Sequence, residues 1–132
     1  MTGLARDIAF RAPALPDDAC RAALLFAIDP FGLGGVCLSS RAGPQRDAWL
    51  AFLRARLPND MPERRLPNAI ADDRLLGGLD LTATLSAGKP IVQRGLLADV
   101  DNGLLIIPMA ERLDPGTAAK LCATLDQGEV RL

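Results

Sequence analysis

The residues whose types and spacing could support chemistry lie between Ser40 and Asp47, in a polar turn between a short apolar run and a helical pattern. This strand–loop–helix order is typical of a loop that binds nucleotide phosphates, G-x-x-x-x-G-K-[ST]. In such a loop, glycines let backbone N–H groups face the phosphates, a lysine reaches the β and γ oxygens, and a hydroxyl holds magnesium. The aligned candidates for this degenerate loop are Ser40, Arg41, Ala42, Gly43, Pro44, Gln45, Arg46 and Asp47.

The aligned residues differ from the pattern at the positions that bind phosphate or magnesium. Ser40 and Gln45 replace the two glycines, Arg46 replaces the lysine, and Asp47 replaces the residue that holds magnesium. Pro44 has no N–H to offer, and the planar guanidinium of arginine is not equivalent to an ammonium. A carboxylate at Asp47 would repel phosphates without magnesium between them. The layout of a phosphate loop is kept, but its working groups are absent.

A working site of this kind also needs an apolar strand that ends in acids, which hold the metal and polarise the attacking water. The strongest strand candidate runs from Gly103 to Pro108. Its last residues, Ile107, Pro108 and Met109, are therefore the degenerate counterpart of the acidic motif. Proline and methionine can neither bind the metal nor act as a base, and Glu111 lies two positions further on. We therefore predict no catalytic residue, no metal site and no tightly bound cofactor.

Composition narrows the function classes. The 132 residues carry a formal net charge of -1 and no histidine, which argues against nucleic-acid binding and histidine-based catalysis. Cys20, Cys37 and Cys122 form no C-x-x-C pair, so we expect three small buried side chains in a reducing cytoplasm. The longest apolar run, Ala22 to Ile28, is too short to span a membrane, and the N-terminus has no hydrophobic signal core.

The predicted elements before residue 60 surround the candidate loop. A helix capped by Asp17 or Asp18 is stopped by Pro30, and a strand follows at Val36 to Leu38. The packing side of that helix is Ala19, Ala22, Ala23, Phe26 and Ala27. After the turn, a second helix that ends at Pro58 has its apolar side at Trp49, Leu50, Phe52, Leu53 and Leu57.

The rest of the chain alternates between short strands and helices. Strands are predicted at Arg64 to Leu66, Gly103 to Pro108 and Glu129 to Leu132, and turns at Asp72 to Gly78 and Asp101 to Gly103. Helices are predicted at Asp80 to Ala87, at Gly95 to Val100, and from Asp114-Pro115 to Gly128, the last with an apolar stripe of Ala118, Leu121, Cys122 and Leu125.

Alternating strands and helices predict an α/β fold, a P-loop NTPase-like three-layer αβα arrangement with a mostly parallel sheet. We expect an extended lead-in over residues 1–16 and a degenerate nucleotide-binding-like domain over residues 17–132. Because the last residues look like a sheet strand, the fold is expected to be incomplete at the C-terminus.

Five blocks together resemble the N-terminal AAA+ module of the magnesium chelatase D subunit family. They are Asp29 to Val36, Arg41 to Leu50, Arg64 to Asp80, Arg94 to Asn102 and Gly103 to Leu113. The most specific parts are Asp-Asp-Arg-Leu-Leu-Gly-Gly-Leu-Asp and Arg-Gly-Leu-Leu-Ala. The sister I subunit has the same frame with intact motifs, so the substitutions match the D type.

The resemblance implies a platform subunit in a ligase-type complex, which uses ATP and Mg²⁺ to insert Mg²⁺ into protoporphyrin IX on the route to chlorophyll or bacteriochlorophyll. Its implied partners are the AAA+ I subunit, which is the ATPase, and the porphyrin-binding H subunit. This chain itself is expected to lack ATPase activity. The family's arginine-finger, sensor and integrin-I-domain residues lie outside this sequence.

Two other interpretations remain open from the residues. The chain could be a stand-alone α/β protein-interaction module without nucleotide function, or a weak nucleotidase that uses Arg46 with unconventional acids such as Asp47 or Glu111. Binding of a labelled ATP analogue separates the nucleotidase from the others. Capture by an intact I subunit separates the platform from the stand-alone module.

Overall fold

The structure, a computed structural model, describes residues 14–130. Most of the predicted lead-in, and the last two residues of the predicted final strand, lie outside the described residues. The chain divides into two compact units, Met1–Asn59 and Asp60–Leu132. Each unit is described below by itself.

The first unit contains three helices, α1 (Asp17–Ile28), α2 (Pro30–Leu33) and α3 (Pro44–Arg54). The predicted packing side of α1 is confirmed, since Ala23 and Phe26 are buried. The predicted cap is wrong, because α1 begins after Pro16 without a side-chain cap. Asp17 and Asp18 instead lie in its first turn, where carboxylates offset the positive end of the helix dipole.

Helices α1 and α3 pack against each other, and the core of the first unit lies at their contact. Trp49, Leu53 and Leu57 are buried there, which confirms the apolar pattern predicted for α3. The indole Nε1 of Trp49 donates a hydrogen bond to the backbone oxygen of Ala19 at 2.8 Å. This bond fixes α3, and with it the loop that precedes α3, against α1.

The strand predicted at Val36 to Leu38 does not form. Residues 34–41 belong to no helix or strand, and the side chains of Val36 and Cys37 are exposed. A strand is stabilised by its pairing with a neighbour, and a three-residue apolar run next to Gly34 and Gly35 has little local preference to form one alone. The regular elements in the described part of the first unit are all helices.

The second unit holds two short two-stranded sheets. Strand β1 (Glu63–Arg65) pairs in parallel with β4 (Leu104–Ile106), so that Arg64 lies opposite Leu105. Strand β2 (Gly77–Leu79) pairs antiparallel with β3 (Val92–Arg94). The α/β class is confirmed with a short parallel sheet, but the described strands form one parallel and one antiparallel pair, not a mostly parallel sheet.

Four α-helices complete the second unit, together with a 3₁₀ turn at Ala110–Arg112: α4 (Asp72–Leu76), α5 (Leu81–Ala87), α6 (Leu96–Asp99) and α7 (Pro115–Gln127). The core of this unit consists of the buried leucines Leu66, Leu75, Leu97 and Leu121. They come from the end of β1 and from α4, α6 and α7, so the core ties these elements together.

Local signals predicted three of the four described α-helices of this unit. The predicted α5 and α7 are confirmed, with Asp80 and Asp114 as their N-caps and Gly88 and Gly128 in left-handed conformations at their ends. Helix α6 is also where it was predicted. The prediction for Asp72 to Gly78 is wrong, because these residues form α4 and the start of β2 instead of a loop. Glu129 and Val130 are in no strand.

The predicted burial of the cysteines is wrong at two of three positions. Cys37 and Cys122 are exposed and Cys20 is half-buried, with all three thiols free. Cys37 lies in the segment that forms no strand. On α7 the buried side is rotated by one residue from the predicted stripe, because Thr117 and Leu121 are buried while Leu125 is exposed.

Candidate functional site

The candidate phosphate loop lies at the start of α3. Ser40 and Arg41 precede a bend at Ala42 and Gly43, and the helix begins at Pro44. The loop-to-helix half of the predicted layout is therefore present, whereas the strand before it is not. Gly43 is the N-cap, with a φ of 150° that side chains rarely adopt.

Few backbone donors are available at this helix start. The first backbone bond of α3 runs from the N–H of Asp47 to the oxygen of Gly43, at 3.2 Å. Pro44 has no N–H, so only Gln45 and Arg46 carry N–H groups that the helix leaves without an acceptor. An intact phosphate loop surrounds its ligand with more donors than this. The helix start can attract an anion only weakly.

The side chains of the loop do not compensate for the missing donors. The Ser40 hydroxyl donates to the backbone oxygen of Arg41 at 3.1 Å. Arg46 is half-buried and makes no ion pair within residues 14–130. Asp47 is exposed in the first turn of α3, where its carboxylate already offsets the helix dipole. An incoming phosphate would meet that negative charge.

The other predicted loop residues, Arg41, Ala42, Pro44 and Gln45, are all exposed in the first unit. Residue types alone do not indicate this exposure. The segment directly before the loop, residues 34–41, forms no strand. The residues present do not fit a nucleotide with its magnesium ion.

The predicted second motif lies in the other unit, directly after β4. Ile107 and Pro108 are half-buried, and Met109 is 43% exposed in a left-handed conformation with φ 49° and ψ 50°. Its backbone oxygen accepts from the N–H of Arg112 at 2.8 Å, which starts the 3₁₀ turn that contains Glu111. The strand end therefore offers a thioether and a proline ring where a metal-dependent ATPase has carboxylates.

Residues 14–130 contain no group of three or more histidine, cysteine, aspartate or glutamate side chains placed to hold a metal ion. Over the same residues, no helix is long and apolar enough to cross a membrane.

Sequence reasoning missed the contact between the two most specific family blocks. Strand β2, from the first block, pairs with β3, whose last residue Arg94 begins the second block, and Gly77 lies opposite Arg94. A Cβ on Gly95 would stand 2.3 Å from the backbone nitrogen of Gly77. The two glycines Gly77 and Gly95, one in each block, are the sequence signal that could have indicated this close approach.

The Arg94 side chain forms bonds within its own block. Its Nε lies 2.9 Å from the Asp99 carboxylate, and its Nη2 donates to the backbone oxygen of Ala98 at 2.7 Å. Lys120 of α7 pairs with Asp72 at the start of α4, at 2.6 Å. This ion pair ties the first block to α7, whereas the side-chain bonds of Arg94 are internal to the second block.

Comparison with curated proteins identifies relatives of this chain. The chain is 50% identical over 115 residues to the magnesium-chelatase 60 kDa subunit of Cereibacter sphaeroides, a match that covers 86% of this chain and 20% of that protein. It is 44% identical over 102 residues to the 60 kDa subunit of Rhodobacter capsulatus, covering 77% of this chain and 18% of that protein.

A more distant relative agrees with these two. The magnesium-chelatase 67 kDa subunit of Chlorobaculum parvum is 34% identical over 114 residues, which cover 86% of this chain and 18% of that protein. No protein-family model matches the chain, and no solved structure matches it. The chain spans about a fifth of the length of the curated relatives it matches. Over that span it belongs to the family of the magnesium-chelatase 60 kDa and 67 kDa subunits, which confirms the D-subunit resemblance carried by its sequence blocks.

Proposed function

We propose that the chain acts as a non-hydrolysing AAA+ platform in magnesium chelatase. In this role it supports the ATP-driven insertion of Mg²⁺ into protoporphyrin IX during chlorophyll or bacteriochlorophyll synthesis in the cytoplasm. Its partners are the AAA+ I subunit, which hydrolyses ATP, and the porphyrin-binding H subunit. The three-layer αβα fold of a P-loop NTPase, of which this chain supplies the N-terminal part, belongs to the same proposal.

The observation that carries the proposal is the start of α3. Pro44 removes one backbone donor, Gln45 stands where a glycine is needed, and Asp47 brings a carboxylate to the phosphate position. Removing one oxyanion donor from an enzyme costs roughly 10²–10³ in rate, and phosphoryl transfer relies almost wholly on such positioned donors. Several simultaneous losses therefore favour a subunit that is present for assembly and not for hydrolysis.

The end of β4 supports the same conclusion independently. Pro108 and Met109 give neither a metal ligand nor a base, and the nearest acid of that segment, Glu111, is exposed in the 3₁₀ turn. A lineage that had lost only one half of the site could still bind and position a nucleotide. Loss of both halves favours a structural role.

The first experiment measures phosphate release by the purified chain with ATP and Mg²⁺. We expect a rate at background, unchanged in the Arg46→Ala variant. Release above background that disappears in Arg46→Ala would instead favour the nucleotidase interpretation.

The second experiment tests the platform role. We expect the chain to bind the purified I subunit of a related magnesium chelatase, measured with and without nucleotide. Absence of binding under both conditions would contradict the platform role and favour a stand-alone interaction module.

A further inference from the structure

The turn Asp101-Asn102-Gly103, which connects α6 to β4, contains an Asn-Gly pair. In such a pair the backbone nitrogen of the glycine can attack the Cγ of the asparagine, because glycine has no Cβ to hinder the approach. A C–N bond forms, and the side-chain nitrogen leaves as ammonia, taking up the proton that the glycine nitrogen loses. Water then opens the cyclic imide at either carbonyl, which gives aspartate or isoaspartate. The sequence thus places a spontaneous modification site directly before β4.

The electrophile of this reaction is accessible in the folded chain. Asn102 is exposed, and its φ of 54° is a left-handed conformation that asparagine adopts more readily than most residues. Aspartate tolerates the same conformation, so the ordinary hydrolysis product would fit this backbone. Access to Asn102 therefore does not limit the reaction.

The nucleophile, in contrast, is held by the turn. The N–H of Gly103 donates to the backbone oxygen of Val100 at 2.8 Å. A hydrogen bond to the protonated form of a group disfavours loss of its proton, and the nitrogen must lose this proton before it can attack. The Gly103 nitrogen therefore becomes a nucleophile only after the turn opens.

Close packing on two sides restrains the same glycine. A Cβ on Gly103 would collide with the backbone oxygen of Pro62 and would stand 2.8 Å from that of Val100. The next N–H, that of Leu104, donates to the Pro62 oxygen at 2.8 Å, and the parallel pairing of β1 with β4 begins with Glu63 opposite Leu104. Gly103 therefore cannot leave its position without disturbing this pairing.

The two hydrolysis products differ in their effect on the turn. Aspartate keeps the length of the backbone. In isoaspartate the chain runs through the Cβ and Cγ of residue 102, which adds one carbon, about 1.5 Å, before Gly103. The contacts around Gly103 leave no room for this shift, and β4 also carries Leu105, which packs against the core of buried leucines. Isoaspartate would therefore weaken the β1–β4 pair and the core together.

We propose that the pair of Asn102 and Gly103 is a deamidation site that the folded second unit keeps closed, and that isoaspartate formed there destabilises the β1–β4 pair. Modification proceeds only through molecules in which the turn at residues 100–103 has opened. Chains that open are converted, and chains with isoaspartate refold to a less stable second unit. The reaction involves no nucleotide or partner subunit, so its outcome is independent of the proposed platform role.

The test incubates the purified Ala69→Gly variant in one mildly alkaline buffer, with and without urea that unfolds the chain by circular dichroism. This variant adds a second Asn-Gly pair at positions 68 and 69, in an exposed bend where the N–H of residue 69 makes no backbone hydrogen bond within residues 14–130. Mass spectrometry of the tryptic peptides 66–74 and 95–112 follows the two pairs. We expect urea to speed modification at Asn102 by at least about tenfold, but at Asn68 by less than about threefold, because only the first site must open. The wild-type chain, treated in parallel, should give the same ratio at Asn102.

A second measurement compares the two products. The isoaspartate form is separated from the urea-treated chain by reversed-phase chromatography and identified by enzymatic methylation of its carboxylate. It is then refolded beside the Asn102→Asp variant, which controls for the added negative charge. Urea denaturation should give the isoaspartate form an unfolding equilibrium constant at least about tenfold larger than that of Asn102→Asp.

Each half of the proposal can fail separately. Equal modification of Asn102 with and without urea, or a ratio no larger than that at Asn68, would overturn the closed site. An Asn102 that is not modified even in urea would overturn the site itself. An isoaspartate form as stable as Asn102→Asp would overturn the effect on the β1–β4 pair, and one that does not refold at all would support it.

Discussion

Substituting Gly95 by alanine tests the junction between the two family blocks. A Cβ at this position would lie 2.3 Å from both the Gly77 nitrogen and the carbonyl carbon of Leu76, and 2.7 Å from the Leu75 oxygen. All three are backbone atoms, so no side chain can rotate away. Since non-bonded heavy atoms prefer separations of about 3.5–4.0 Å, the backbone would have to move by about 1 Å.

The expected cost follows from this displacement. Overpacking that forces backbone shifts costs about 1–3 kcal/mol, a large part of the stability of a small domain. Gly78→Ala is the matched control, because its nearest contact would be the Asp73 Cβ at 3.9 Å, which is ordinary packing. Both substitutions lower the entropy of the unfolded chain equally, so their difference isolates the contact.

Urea denaturation followed by circular dichroism measures both variants. We expect Gly95→Ala to lose about 1–3 kcal/mol of unfolding free energy and Gly78→Ala to stay within about 0.5 kcal/mol of the wild type. Equal stabilities of the two variants would refute the close approach of Gly95 to Gly77. It would also remove the geometric basis for the close pairing of β2 with β3.

Two further substitutions test the other packing contacts. Trp49→Phe should lower the free energy of unfolding, measured by urea denaturation, by about 1–2 kcal/mol, because the hydrogen bond to the Ala19 oxygen and part of the ring contact are lost. A free energy of unfolding within about 0.3 kcal/mol of the wild type would show that this bond contributes nothing. Asp114→Ala should cost about 0.5–2 kcal/mol, since its carboxylate accepts the N–H of Thr117 as the cap of α7. Asp18→Ala, which removes no cap, should cost less, and equal costs would contradict the capping role.

The parts of the fold that could be predicted from the sequence are those specified within a few residues. Helix α7 has a capping aspartate, a proline at its first position and a glycine at its end, so its bounds are determined by the local sequence. Helix α3 combines Pro44 with an apolar periodicity that includes Trp49 and Leu53. These signals do not depend on the rest of the chain, and the structure agrees with them.

The strands were harder because pairing depends on distant residues. Strand β3 is Val92–Arg94, which has no strong local signal, and it forms because residues 77–79 lie beside it. Residues Val36 to Leu38 show the reverse case: their composition suits a strand, but the described residues of their unit offer no strand to pair with. At the candidate site, the sequence located the loop at the start of a helix, but the exposure of its side chains is visible only in the structure.

The most demanding prediction concerns rebuilding the phosphate loop with Gln45→Gly, Arg46→Lys and Asp47→Ser together. Asp47→Ser removes the carboxylate from the phosphate position, Arg46→Lys supplies a compact ammonium, and Gln45→Gly frees the backbone there. Pro44 still withholds its N–H, and residues 34–41 form no strand before the loop. We therefore expect weak binding of a labelled ATP analogue, above that of the wild type and above that of Arg46→Lys alone.

Hydrolysis should not return in this triple variant. Pro108 and Met109 would still leave the metal and the attacking water without their acids, and that loss alone removes orders of magnitude in rate. Glycine in the first turn of α3 also costs about 1 kcal/mol, so the fluorescence of Trp49, the single tryptophan, should first establish that α3 is folded. A folded triple variant that binds no analogue better than the wild type would contradict the alignment of Ser40 to Asp47 with a phosphate loop. Turnover near that of an intact AAA+ ATPase would instead show that the second motif has been placed on the wrong residues, because a strand ending in proline and methionine cannot supply that chemistry.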